Sequence, residues 1–150
     1  MVTNRLEVWR SRLAQDRKDQ FVYLAEADSR LLGFVCVFAN EDPTWGSLID
    51  NLHVAYERQR SGIGTLLMGS AALWLEADYG HIGVYLWALE ANLQAHFFYE
   101  RLGAVRAETK EFENPGGGSA ASWRFVWRRP TDLRLRAEGL TKHADPRRLK

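Results

Sequence analysis

The sequence holds a single cysteine, Cys36, among its 150 residues. An intramolecular disulfide framework and a Cys-rich zinc site are therefore excluded, and no metal is expected. Cys36 sits in an apolar run and reads as a small core residue. Neither sign of charge dominates: 20 Lys+Arg stand against 19 Asp+Glu, for a formal net charge of +1. That balance argues against a general nucleic-acid binder, which carries a strongly basic footprint. Long hydrophobic runs are also missing. The longest, Leu31 to Ala39, is too short to span a bilayer. The start, Met1 to Arg12, is polar and charged, unlike a secretory leader, so the expected location is the cytoplasm. What remains is 46% hydrophobic and 26% charged residues, the composition of an ordinary globular domain. The length suffices to bury a core without a disulfide or structural metal.

Asn4 to Lys18 reads as a helix, with Asn4 and Glu7 in a capping-box spacing and Leu6, Trp9 and Leu13 at helical intervals. Phe21 to Glu26 and Leu31 to Phe38 read as strands around the turn residues Ala27 to Arg30. The second run is apolar on both faces, which suits a central strand. Asn40 to Gly46 is a loop, Ser47 to Val54 a third strand, and Gly62 to Tyr79 a long helix. Ile63, Leu66, Leu67, Leu73 and Trp74 are expected on that helix's apolar side, with Gly80 as its stop. Gly83 to Leu89 is a fourth strand. Asn92 caps a short helix closed by Gly103. Val105 to Phe112 and Ser122 to Trp127 are two late strands around a Gly-rich loop. The order is that of a mixed α/β (α+β) chain with one sheet, without repeats or a second domain. Residues 1–130 are expected to form the domain. Residues 131–150 read as a basic, solvated tail, with nine Lys/Arg between Arg124 and Lys150.

Chemistry concentrates where the third strand meets the long helix. Asp50-Asn51-Leu52-His53-Val54 runs into Gln59-Arg60-Ser61-Gly62-Ile63-Gly64-Thr65. A glycine-containing turn that opens a helix presents backbone N–H groups at the positive end of the helix dipole. Gly62 and Gly64 would let backbone approach a ligand closely. An anion site follows, most naturally for a pyrophosphate. A Walker A loop is absent, and a Rossmann fingerprint fails because Leu67 stands where its third glycine or alanine belongs.

The spacing Gln59-x-x-Gly62-x-Gly64 resembles the coenzyme A pyrophosphate loop of the GCN5-related N-acetyltransferase (GNAT) superfamily. About 30 residues after Gly64, Asn92, Ala95, Phe98, Tyr99 and Gly103 resemble the superfamily's second coenzyme A motif. The resemblance covers Asn4 to Trp127. It implies a single mixed, mostly antiparallel sheet with splayed central strands flanked by helices. The chain differs in that the first strand and first helix look missing or truncated.

The resemblance also implies acetyl-CoA as acetyl donor and direct transfer to a primary amine of a small molecule or peptide. The backbone of Leu52, His53 and Val54 would hold the pantetheine arm. Gln59, Arg60, Ser61, Gly62, Ile63, Gly64 and Thr65 would cradle the pyrophosphate, and Asn92, Ala95, Phe98 and Tyr99 would contact the coenzyme. An amine with a pKa near ~10 must first lose a proton. Glu90, Asp50 and His53 form an open set of candidate bases. Asp50 and His53 fall on opposite strand faces unless a bulge intervenes. A strand N–H would stabilise the oxyanion, and Tyr99 would protonate the leaving thiolate. Trp45 and Trp87, with the loop holding Glu41 and Asp42, are expected to line the acceptor pocket. Two other readings stay open: a coenzyme A-binding or dimerisation module of the same fold, and an adaptor docking nucleic acid through the basic tail. The late strands could pair between chains in a homodimer.

Overall fold

The computed structural model describes residues 7–11, 19–59 and 61–142. One seven-stranded sheet has the order β1-β2-β3-β4-β5-β7-β6. Its strands are β1 (Glu7–Ser11), β2 (Gln20–Ala27), β3 (Arg30–Asp42), β4 (Gly46–Val54), β5 (Val84–Leu89), β6 (Val105–Glu113) and β7 (Ser119–Trp127). The helices are α1 (Ile63–Tyr79), α2 (Leu93–Arg101) and α3 (Pro130–Lys142). Every pairing is antiparallel except β4 with β5. The sheet is thus mixed and mostly antiparallel, as the family resemblance implies.

Three expectations need correction. The helix expected over Asn4–Lys18 is replaced in its described part by β1, paired with β2 from Glu7↔Glu26 to Ser11↔Val22. The first strand is therefore short, not missing; the rest of the expected helix lies outside the described residues. Pairing with β2 overrides the local helical spacing. The solvated tail expected from residue 131 begins instead as α3, which packs along α1 with Leu133 and Ala137 buried. The Glu76 carboxylate on α1 accepts from Thr131 and Arg134 on α3. Residues 143–150 lie outside the described residues. On α1, Leu73 is exposed; the buried stripe is Ile63, Leu67, Met68, Ala71, Ala72 and Leu75.

The core lies between the sheet and α1. Val35 and Val37 of β3, Ile49 of β4, Val84 and Leu86 of β5 and Phe125 and Trp127 of β7 form one buried cluster with the α1 stripe. Alternate residues face away from α1, as strand geometry requires. Cys36 stands on that far face, half-buried, and burial pushes its thiol pKa up.

The seam between β4 and β5 positions the site. These strands pair only through Ser47↔Val84 and Leu48↔Tyr85, then separate. Gly46 and Gly83 close the paired end. A Cβ on Gly46 would lie 2.1 Å from the Gly83 carbonyl oxygen, and Gly46 has φ +94°. The Ser47 N–H donates to that carbonyl at 2.9 Å. Beyond Leu48, β4 is paired only with β3 among the described residues, so its other edge opens into the seam.

Candidate active site

The open edge of β4 carries the first group of expected residues. Leu52 opposes Val35 and Val54 opposes Gly33, and both side chains pack against the core. Both are partly buried, and their backbone lies on the open edge of the strand. His53 opposes Phe34 on the far face, exposed, with ring centroids 5.5 Å apart. The ladder pairs Val37 with Ile49 and Cys36 with Asn51, so Asp50 is the extra residue of a β-bulge. The bulge breaks the strict alternation that would put Asp50 and His53 on opposite faces. The Asp50 carboxylate is exposed and acts on the Cys36 thiol, on the His53 side of the sheet.

Following β4, a single 3₁₀ turn (Tyr56–Arg58) leads to α1. The Gln59 amide donates to the Val54 carbonyl at 3.4 Å, and the Ser61 hydroxyl to the Arg58 carbonyl. Arg60 lies outside the described residues. Gly62 is the N-cap of α1, at φ +91° and ψ −2°, and no side chain caps the helix. Among the described residues, a Cβ at Gly62 would meet nothing within 4 Å. Glycine is needed there for its conformation and not for want of room. The first helical bond runs from the Leu66 N–H to the Gly62 carbonyl. The N–H groups of Gly62, Ile63, Gly64 and Thr65 are the helix's orphan donors. Ile63 is buried, so it contributes backbone alone. Gly64 serves a purpose the sequence does not reveal. A Cβ there would sit 3.1 Å from Phe98 Cζ and 3.7 Å from Val54 Cγ2. The missing side chain lets α2 lie against the start of α1.

Asn92 caps α2, its Oδ1 accepting from the Ala95 N–H at 3.1 Å. Ala95, Phe98 and Tyr99 are partly buried against the core. The Tyr99 ring lies 5.2 Å from Phe98, 5.7 Å from Phe125 and 6.4 Å from Trp127, centroid to centroid. Burial pushes its hydroxyl up to about 12. Tyr99 therefore holds its proton through the whole neutral and mildly alkaline range. Glu90 follows β5, exposed, its N–H bonded to the Ala121 carbonyl at 2.9 Å. His96 is buried, with Nε2 2.9 Å from the Leu89 carbonyl oxygen, and ties α2 to the end of β5.

Trp45 and Trp87 come together on the face away from α1, and the residue that joins them is Arg124 on β7. Its guanidinium lies 4.2 Å from the Trp87 ring centroid, 4.5 Å from Trp45 and 4.7 Å from Tyr85. Arg124 also donates to Glu108 Oε1, at 3.0 Å from Nε and 2.8 Å from Nη2. Read from the sequence, Arg124 merely heads a basic tail. The signal that could have found it is the alternation Trp123-Arg124-Phe125-Val126-Trp127, which sets one charge among rings. Asp42 accepts from the Thr44 and Trp45 N–H groups at 2.7 and 2.9 Å. Those bonds, the Trp45 one foremost, hold its pKa below the ordinary carboxylate range. Asp42 thus fixes the turn that carries Trp45.

The described residues contain no group of three or more His, Cys, Asp or Glu able to hold a metal ion. No helix among them is long and apolar enough to cross a membrane.

The assembly is an open seam with an uncapped helix start at its mouth. Tyr99 stands on the α1 side; His53 and Trp87 stand on the other. Several solved structures share this arrangement of elements. Arabidopsis thaliana NAA60 in complex with a bisubstrate analogue matches with TM-score 0.62 and 22% identity, over 73% of this chain and 75% of that one. Nourseothricin acetyltransferase matches with TM-score 0.65 and 22% identity, over 77% and 68%. A GNAT family acetyltransferase from Elizabethkingia anophelis, with acetyl-CoA bound, matches with TM-score 0.60 and 15% identity, over 73% and 76%. A search of curated proteins gave no match. The model of the acetyltransferase (GNAT) family matches residues 3–104, more than half of the chain. The chain belongs to the GNAT acetyltransferase family.

Proposed function

We propose that this protein is an acetyl-CoA-dependent N-acetyltransferase that transfers an acetyl group to a primary amine within a ternary complex. The open seam between β4 and β5 carries the reading. Its residues fit the donor: an uncapped helix start suits a pyrophosphate, and an unpaired strand edge suits an amide-bearing arm. Gly62, Ile63, Gly64 and Thr65 offer their N–H groups to the pyrophosphate, with Gln59 and Ser61 beside them; Arg60, which the resemblance assigns to the same loop, lies outside the described residues. Leu52, His53 and Val54 offer backbone to the pantetheine arm, and Asn92, Ala95 and Phe98 flank it from α2.

The donor supplies an acetyl thioester. The amine reaches it from the far face of the sheet, past Trp45 and Trp87, which stand on the Arg124 guanidinium. One of Asp50, His53 and Glu90 takes the ammonium proton, which frees the nitrogen to form the new N–C bond as the C–S bond breaks. A backbone N–H of Leu52 to Val54 holds the charge that develops on the carbonyl oxygen. As the adduct collapses the nitrogen gives its second proton to solvent, while Tyr99 gives its proton to the departing sulfur and is reprotonated from solvent, so each turnover yields the amide, the free thiol and one net proton. The edge strand β6, exposed at every residue, supports a homodimer, and a cytoplasmic location belongs to the same proposal.

Release of free coenzyme A thiol tests the reading, with nourseothricin, spermidine and tri-alanine as acceptors. Amine-dependent thiol release with an acetylated product, seen by mass spectrometry, supports it. Acetyl-CoA binding without release for any amine favours the coenzyme A-binding module.

A further inference from the structure

We propose that Arg124 is a positioning residue for the acceptor: it holds Trp45 and Trp87 in place as the two walls of the acceptor pocket. The inference rests on the reading of those tryptophans as walls, and it adds the group that sets them. The register places Arg124 opposite Trp87 on β5 and beside Glu108 on β6, so Trp87, Arg124 and Glu108 form one row across three strands. From that row the guanidinium reaches Trp45, which belongs to the distant β3–β4 turn. It therefore links two walls that no backbone ladder joins.

Packing alone does not explain an arginine here. Arg124 is 8% exposed, and removing a guanidinium from water is costly. An apolar side chain would fill the same space without that penalty. Only a guanidinium combines a flat face for several rings with a fork of donors for Glu108. Glu108 supplies the balancing charge and is half-exposed. Trp87 is held on another side by Phe112, ring edge to face, with centroids 5.0 Å apart. Asp42 fixes the Trp45 backbone, but its bonds do not reach the indole ring. Arg124 is thus the contact that fixes the orientation of one indole relative to the other.

The test compares Arg124→Met, Arg124→Lys and Glu108→Gln with Trp87→Ala. Steady-state constants are measured for acetyl-CoA and for whichever of nourseothricin, spermidine and tri-alanine the wild type turns over fastest. Arg124→Met is expected to raise the acceptor KM about tenfold, the scale of a lost cation–π contact with partial desolvation, and Arg124→Lys to raise it less, since an ammonium keeps the charge without the flat face or the fork. Glu108→Gln should show a smaller rise in the same direction. The acetyl-CoA KM should stay within about twofold, since the seam and the start of α1 are untouched. Glu108→Gln leaves no cavity and keeps the proposal testable if the Arg124 variants fail to fold. An unchanged acceptor KM in all three overturns the positioning role, even if Trp87→Ala raises it. A parallel rise in both constants also overturns it, because that marks general loosening of the fold. An unchanged acceptor KM in Trp87→Ala removes the wall itself, and the inference falls with it.

Discussion

Replacing Tyr99 with phenylalanine removes one hydroxyl and leaves every ring contact in place. The neighbours at 5.2, 5.7 and 6.4 Å are aromatic centroids, so the phenylalanine ring should pack as the tyrosine ring does. Two effects follow. If the hydroxyl protonates the leaving sulfur, kcat should fall by roughly 10²- to 10⁴-fold, the usual contribution of a positioned acid. Acetyl-CoA affinity should change little. The second effect is on stability. Burial pushes Tyr99 from 10.0 up to about 12, so the folded state keeps a proton that the unfolded state releases first. Stabilisation is fully present below pH 10 and is lost as pH rises through 12. The difference of about two units amounts to roughly 3 kcal/mol, good to about half that. Thiol release at pH 8 measures the first effect, and urea unfolding at a series of pH values between 9 and 12 measures the second. The wild type should lose stability relative to Tyr99→Phe across that window. An unchanged kcat refutes the acid role, and parallel pH–stability curves refute the buried phenol.

Other substitutions probe the frame around the site. Asn92→Ala deletes the α2 cap and should cost about 1 kcal/mol, read as a melting-temperature drop of a few degrees. Leu133→Ala should cost about 2–5 kcal/mol, the range for a fully buried leucine; a value near zero would contradict α3 as part of the core. Gly64→Ala pushes a methyl toward Phe98 and should weaken acetyl-CoA binding by calorimetry through displacement of α2. An unaltered affinity there would mean that the Phe98 ring simply gives way.

Most of the sheet was legible in the sequence because β2 to β5 and β7 carry strong apolar patterns bounded by turn residues. The two stretches that resemble coenzyme A motifs fell on the elements expected of them, with Gly62 opening α1 and Asn92 capping α2. Four features were hidden for physical reasons. Five residues of β1 are a strand only through pairing with β2, and their spacing equally fits a helix. Helix α3 buries only Pro130, Leu133 and Ala137 beneath a charged surface, so it resembles a tail. The Asp50 bulge is a property of the β3–β4 register, and a register is not written in either strand alone. Arg124 was hidden in the same way: its partners Trp45, Trp87 and Glu108 are distant in sequence and meet only across the folded sheet.

Everything proposed for the donor depends on the uncapped start of α1 binding the pyrophosphate of acetyl-CoA. Calorimetric titration of acetyl-CoA into the wild type and Gly62→Val isolates that step. Valine at φ +91° is strained by about 1–3 kcal/mol, which a domain of this size should survive, and its side chain enters the space before the helix. Saturable binding by the wild type is expected, with a loss of about a hundredfold or more in a folded variant, the effect of two charge-assisted hydrogen bonds. Equal affinity in the two proteins, or no binding by the wild type, would contradict a pyrophosphate site at this helix start.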